Sequence, residues 1–203
     1  MSGRASGTEG YAETAHVLLQ QWQGTPFDEQ HGIVMHLLPR QPCRVADIGS
    51  GIGLDAAAFA AMGHTVVAVE PTAELRLPGI ALHDAPGIEW LDDSLPQLAL
   101  LHARQDSFDL IMITAVWMHL DAQQRRQAMP AVASLLRPGG ALIISLRHGP
   151  VPPGRRMFDV SGEETIALAA AHGLRSIFSG HRPSVQQLNR DNGVHWTHVA
   201  FTR

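Results

Sequence analysis

An α/β fold built on a doubly wound, mostly parallel sheet is what this sequence predicts, and three observations lead there. After residue 40, short apolar runs alternate with helix-like stretches, the order that builds a parallel sheet covered on both faces. The segment Arg44–Asp55 reads as a buried strand, a turn with glycines at 49, 51 and 53, and the start of an alanine-rich helix. At 203 residues, 45% of them hydrophobic, the chain suits one domain with a three-layer αβα core.

The elements follow in order. Tyr11–Gln23 and Pro26–Leu38 look like two N-terminal helices, because Ala12, Ala15, Leu18, Leu19 and Trp22, then Ile33, Val34, Leu37 and Leu38, recur at helical spacing. Two readings of these helices stay open: simple packing on the sheet, or a lid over a ligand. Met1–Gly7 reads as a flexible tail, so 1–39 is expected to be tail and lid helices and 40–203 one compact ligand-binding unit. Strands are expected at about 43–48, 65–69, 88–91, 108–114, 140–146, 174–179 and 195–201, with helices at about 54–62, 72–76, 95–103, 121–136 and 162–172. Asp121 is the expected N-cap of the fourth of these helices, and Pro130 should kink or split it. Ser161 with Glu164 forms a capping box for the fifth, and His172-Gly173 supplies its stop. The proline-rich stretch 150–160 can be neither regular helix nor central strand and follows the fifth strand, so it is read as a wall on the substrate side. The stretch Pro183–Gly193 is a long connection that could close the last two strands as a hairpin.

Composition narrows the function classes. The net charge is −4 and the basic residues are scattered, which disfavours nucleic acid as a partner. No apolar run approaches a membrane span and the N-terminus lacks a signal-peptide core, so a cytoplasmic protein with no membrane partner is expected. The single cysteine, Cys43, excludes an internal disulfide and reads as a buried structural thiol. Twelve histidines invite a metal reading. Neither His31 with His36 nor His195 with His198 has the spacing of a helical zinc motif, so no metal is expected.

The glycine turn carries the chemistry. Its glycines permit a sharp turn and close approach of a ligand, and the helix start behind it should aim unpaired N–H groups at that ligand. A second strand, Thr65–Val69, ends in Glu70, where a ribose is held through its two hydroxyls. A dinucleotide fingerprint would need glycine at position 54, which is leucine. The pattern here is Asp47-x-Gly49-x-Gly51-x-Gly53, with a carboxylate beside the turn, which suits a cofactor that carries an ammonium.

On these residues the chain resembles the class I S-adenosylmethionine-dependent methyltransferases. Later segments keep the resemblance: Ile88–Pro96, with Asp93 or, as a fallback, Asp92 at the adenine; Phe108–Trp117 as the fourth strand and the loop facing the methyl group; and Leu135–Ser145 as the helix, turn and strand that come next. The resemblance implies a seven-stranded Rossmann-like sheet in the order 3-2-1-4-5-7-6 with an antiparallel last strand. It also implies S-adenosyl-L-methionine as cofactor and S-adenosyl-L-homocysteine as product. The residues it places on the cofactor are Asp47, Gly49, Ser50, Gly51, Gly53, Glu70, Pro71, Asp92, Asp93, Ser94 and Thr114, with Tyr11 covering it. Asp55 either stabilises the helix start or reaches the methionine moiety.

On the acceptor side, Trp117 could stack on an acceptor ring or flank the cationic methyl group, with Met118 beside it. His119 titrates in the range of a general base, Arg147 could fix an acceptor carboxylate, and His148 sits at the site's edge. The fourth strand runs into Thr114-Ala115-Val116-Trp117 rather than the tetrad of exocyclic-amine nucleic-acid methyltransferases, and Cys43 is on the wrong side for a cytosine-C5 mechanism. The remaining reading is methyl transfer by direct displacement to N, O or S of a small molecule, by a monomer or homodimer. The alternatives are a non-catalytic S-adenosylmethionine sensor or accessory protein and a nicotinamide-dependent oxidoreductase.

Overall fold

The computed structural model describes residues 5–22 and 24–203; Met1–Arg4 of the expected tail and Gln23 at the end of the first expected helix lie outside the described residues. Helix α1 spans Tyr11–Trp22 and α2 Phe27–His31, followed by a 3-10 turn at Met35–Leu37. The single helix expected over Pro26–Leu38 is therefore two short pieces, and Gly32 marks the break between them. The alternating region runs β1 (Arg44–Ile48), α3 (Leu54–Ala61), β2 (Thr65–Val69), α4 (Ala73–Leu82), β3 (Ile88–Leu91), α5 (Ala99–Ala103) and β4 (Phe108–Ile113). It continues with α6 (Ala122–Leu135), β5 (Leu136–His148), α7 (Gly162–Ala171), β6 (Arg175–Pro183), α8 (Gln187–Asp191) and β7 (His195–Thr202).

The seven strands form one sheet in the order β3-β2-β1-β4-β5-β7-β6. The first five pair in parallel, and β7 inserts antiparallel between β5 and β6. This is the expected doubly wound sheet with its antiparallel last strand. Strand alternation divides the core. On β1, Val45 faces a cluster built on Phe59, Val66, Leu110 and Ile143, while Ala46 and Ile48 face one built on Ile111, Met129, Val132 and Ile144.

Several element ends differ from expectation for local reasons. Pro130 does not split α6, because it removes only one backbone bond and its neighbours Met129 and Val132 are fully buried. Asp121 caps α6 in a reciprocal capping box with Gln124. Ser161 caps α7 through the Glu164 N–H, but the Glu164 carboxylate turns instead to Arg125, at 2.8 Å from Nη2. β5 begins earlier than expected because Leu136 pairs with Phe108, while Gly139 and Gly140 exchange backbone bonds with Arg203. The β6–β7 connection closes as an antiparallel pair and carries the short helix α8. Cys43 is half-buried, and burial pushes its thiol pKa upward.

One buried histidine makes stability pH-dependent. His198 on β7 is enclosed, and burial, helped by His31 and Arg182, lowers its pKa from 6.5 to about 4. Its folded pKa lies below its unfolded one, so the unfolded chain binds the extra proton; the stability held above about pH 6.5 drains away as the pH falls toward 4. We expect the protein to lose about 2 kcal/mol through this group between pH 7 and pH 5. Urea unfolding of wild type and His198→Gln at both pH values checks it: the variant should lose less over that interval, and parallel losses would refute the assignment.

Candidate active site

The carboxyl edge of the sheet, where open α/β folds bind ligands, carries the site. After β1 the chain turns through Gly49, Gly51 and Gly53, all with left-handed backbone (φ 76°, 57° and 80°). A Cβ on Gly49 would lie 2.3 Å from Val116 Cγ2, so the turn requires glycine there. Four of the turn's N–H groups are engaged within the protein. Gly49 and Ser50 donate to the Val69 carbonyl at 2.8 and 3.0 Å, Gly53 donates to the Ser50 carbonyl at 2.8 Å, and Gly51 donates to Glu70 Oε2 at 2.9 Å. These three glycines thus contribute close approach, their own N–H groups being taken up inside the protein.

Glu70, at the tip of β2, is buried, and its other oxygen accepts the Thr72 N–H at 2.8 Å. Burial raises its pKa, and the N–H groups of Thr72 and Gly51 oppose that rise. Asp47 is more enclosed still, at 1% exposure, and its Oδ2 meets no partner among the described residues. Burial first, then the nearby carboxylate of Asp55, pushes its pKa well upward against the Ala56 N–H. A cation placed beside it would reverse that shift. Asp55 accepts from Thr114 Oγ1 at 3.0 Å and bonds His31 Nε2 at 2.9 Å, an arrangement that joins α3, β4 and α2. Asp93 is buried and accepts from the backbone N–H groups of Ser94, Leu100 and Leu101 at 2.9–3.0 Å, so it holds the start of α5 while facing the cavity.

Asp47, Gly49, Gly51, Asp55, Glu70 and Asp93 line one cavity of about 730 Å³, within the usual range of ligand pockets (~300–1,000 Å³). It runs from the glycine turn and Glu70, past Thr114, to Tyr11, His119 and Arg147. Ser50, Pro71 and Ser94 also line it, and Ser50 Oγ is buried without a partner among the described residues. α1 closes one side. Its Trp22 ring lies over Gly51, with Cζ3 3.1 Å from where a Cβ would stand, and Ala15 packs in a cluster with Ile52 and Leu75.

At the far end, His119 Nδ1 lies 2.7 Å from the Arg156 carbonyl, and Nε2 lies 2.9 Å from Tyr11 Oη. The carbonyl can only accept, so Nδ1 carries the proton and neutral Nε2 accepts from the Tyr11 hydroxyl. Burial lowers the His119 pKa, which favours that neutral form, and raises the Tyr11 pKa.

Five expected site residues fall elsewhere. Gly53 does not line the cavity, and a Cβ there would face the Trp90 ring at 2.5 Å. Trp117 and Met118 are buried in the core, because in the 3-10 turn Trp117–His119 it is Val116 and His119, three apart, that face the cavity together. His148 follows Arg147 on β5 and so points to the opposite face, where it bonds Thr197 Oγ1 at 2.8 Å and stacks on His195. Asp92 is exposed and pairs with Arg76 at 2.8 Å, away from the cavity. Three residues that line or brace the site were not singled out from the sequence. Arg155 lies in the proline-rich stretch already read as a wall, and Trp22 and His31 lie in the N-terminal helical segments.

The donor set is compatible with S-adenosylmethionine: Asp47 has a buried carboxylate oxygen with no partner among the described residues, which suits an ammonium, and Glu70, Asp93 and Ser94 line the same cavity with oxygen acceptors suited to hydroxyl and amino groups. The N–H groups of Gly49, Ser50, Gly51 and Gly53 are already bonded within the protein and so are not offered to a pyrophosphate. Among the described residues, no group of three or more His, Cys, Asp or Glu is placed to hold a metal ion, and no helix is long and apolar enough to cross a membrane.

Comparison with known proteins agrees with this geometry. Residues 45–140 match the family model described as a methyltransferase domain. An uncharacterized methyltransferase of Mycobacterium tuberculosis is 33% identical over 113 residues, covering 52% of this chain and 40% of the relative. The chain thus spans about two-fifths of the length of the curated relatives it matches. The fold is similar to that of the N-methyltransferase NodS from Bradyrhizobium japonicum, solved with S-adenosyl-L-homocysteine (TM-score 0.73, 17% identity, 95% of this chain and 97% of that one). It is also similar to the 1,6-didemethyltoxoflavin N1-methyltransferase of Burkholderia thailandensis, solved with its substrate and S-adenosylhomocysteine (TM-score 0.71, 20% identity, 95% and 85%).

Proposed function

We propose that this chain, whose residues 45–140 match a methyltransferase-domain family model, is a class I S-adenosylmethionine-dependent enzyme that transfers a methyl group to a nitrogen, oxygen or sulfur atom of a small molecule. The cofactor is S-adenosyl-L-methionine and the product S-adenosyl-L-homocysteine. The observation that carries the reading is the continuity of the cavity: one space joins the cofactor-side residues Asp47 and Glu70 to Tyr11, His119 and Arg147. A protein that only sensed the cofactor would not need room beyond Thr114. The two solved relatives named above methylate nitrogen, by their names, and this supports a small acceptor here.

Bound S-adenosylmethionine supplies an electrophilic methyl carbon on a sulfonium. The chain's own contribution is alignment and proton management. Asp47 and Glu70 fix the donor's ends, and Thr114, bonded to Asp55, sets the floor between the two halves. Positioning of this kind supplies several kcal/mol of a displacement barrier. For an acceptor that is protonated at working pH, Tyr11 Oη takes its proton while the Tyr11 proton passes to His119 Nε2. His119 is held in the accepting tautomer by the Arg156 carbonyl.

Calorimetric titration tests the cofactor half. S-adenosylmethionine and S-adenosylhomocysteine are expected to bind in the micromolar range and NADH not at all. Binding of NADH alone would overturn the reading at the glycine turn.

A further inference from the structure

The far end of the cavity carries more positive charge than methyl transfer to a neutral acceptor requires. Arg147, at the end of β5, and Arg155, from the stretch between β5 and α7, both line it. Among the described residues neither guanidinium forms an ion pair with a carboxylate. Arg147 Nη1 donates to the Pro150 carbonyl at 2.9 Å and touches Met157 Sδ. Arg155 Nη2 donates to Thr14 Oγ1 at 2.7 Å, and its guanidinium lies 4.0 Å from the centre of the Tyr11 ring. Both side chains are thus braced by neutral groups, with further N–H donors left over. Cations held in this way beside a cavity invite an anion.

The two arginines also sit together. The fields of both reach Tyr11 and His119, whereas Asp47, at the cofactor's ammonium end, feels Asp55 and Glu70. Among the described residues, the carboxylate of Glu9, which is exposed and accepts the Gly7 N–H at 2.8 Å, acts on His119, and that of Glu70 acts on Tyr11 from the other side. The cavity lining also includes the apolar side chains of Val116, Met157, Val185 and Trp196.

The geometry points to an acceptor that carries a carboxylate on an apolar, planar body, with Arg147 and Arg155 gripping the carboxylate and Tyr11–His119 facing the atom to be methylated. The carboxylate is a handle and takes no part in the bond changes. A planar two-oxygen anion matches two guanidiniums that arrive from separate segments, each with part of its fork already engaged. This inference rests on the methyl-transfer reading and deepens it.

The test is binding of matched probes to the protein saturated with S-adenosylhomocysteine. Benzoate, 4-hydroxybenzoate and indole-3-carboxylate are each compared with the corresponding amide by calorimetry. Within at least one pair the carboxylate is expected to bind about tenfold or more tightly than the amide. Arg147→Gln and Arg155→Gln should each remove that preference while leaving the Kd for S-adenosylhomocysteine within about twofold, and Arg147→Lys should restore part of it. Equal binding of carboxylate and amide in all three pairs overturns the inference. Loss of S-adenosylhomocysteine binding in the arginine variants overturns it too, because the guanidiniums would then serve the cofactor. Failure of wild type to bind S-adenosylhomocysteine at all would instead overturn the methyl-transfer reading, and the first titration separates the two.

Discussion

Replacing Gly49 with alanine is expected to destabilise the protein by about 3 kcal/mol. Two effects combine. The backbone at φ 76° strains any residue with a Cβ, at roughly 1–2 kcal/mol. The new methyl would also stand 2.3 Å from Val116 Cγ2, and the branched valine cannot swing clear without shifting the turn that carries His119. For a chain of 203 residues that total lowers Tm by about 6–12 °C. Thermal unfolding followed by circular dichroism measures it. Gly173 serves as the control: its φ is 79°, but nothing lies within 4 Å of its added Cβ, so Gly173→Ala should show the strain alone. Equal losses in the two variants would mean that Val116 does not press on the turn.

The second large effect is on binding. Glu70→Ala should weaken S-adenosylhomocysteine by about 3 kcal/mol, on the order of a hundredfold in Kd. On the proposed assignment the carboxylate accepts from the ribose hydroxyls. It also accepts from the Gly51 and Thr72 N–H groups, so truncation leaves those two donors without their partner and slackens the turn that the cofactor rests on. Glu70→Gln keeps the shape and one acceptor oxygen and should lose about tenfold. Calorimetry on the two variants checks the series. Unchanged affinity in Glu70→Ala would remove the ribose assignment and leave Glu70 as a brace for the loop.

Most of the sheet was legible in the sequence because its central parallel strands are buried on both faces. Val66–Val69 and Leu110–Ile113 read as strands through their apolar runs alone. The helix expected at about 72–76 instead runs through Pro78 to Leu82, with Gly79 lying close under the Trp90 ring. That contact joins residues distant in sequence, and no local signal announces it.

The site divides in the same way. Residues on strand tips and the glycine turn could be located because a parallel sheet presents those tips along one edge. Side-chain direction beyond the tips could not. Arg147 and His148 are neighbours in sequence, but strand alternation sends one into the cavity and the other to the far face. The turn after β4 was read as a cluster of three acceptor-side residues, and the 3-10 geometry kept only His119 there. Arg155 had no periodicity to give it away, since it lies in a stretch without helix or strand.

Helix α1 has a thermodynamic consequence. Its Trp22 end lies over Gly51 at the glycine turn, and its Tyr11 end is bonded to His119 and stacked under Arg155 at the far end of the cavity, so on the proposed function it touches both the cofactor and the acceptor halves. A single rigid element therefore reports on both halves of the cavity. Swinging it aside to admit one ligand breaks contacts that help hold the other. Whatever free energy the first ligand contributes to keeping the helix seated, the second inherits, and linkage makes that inheritance equal in both directions. Cofactor and acceptor are thus expected to enter as a cooperative pair, and release of either waits on the same door.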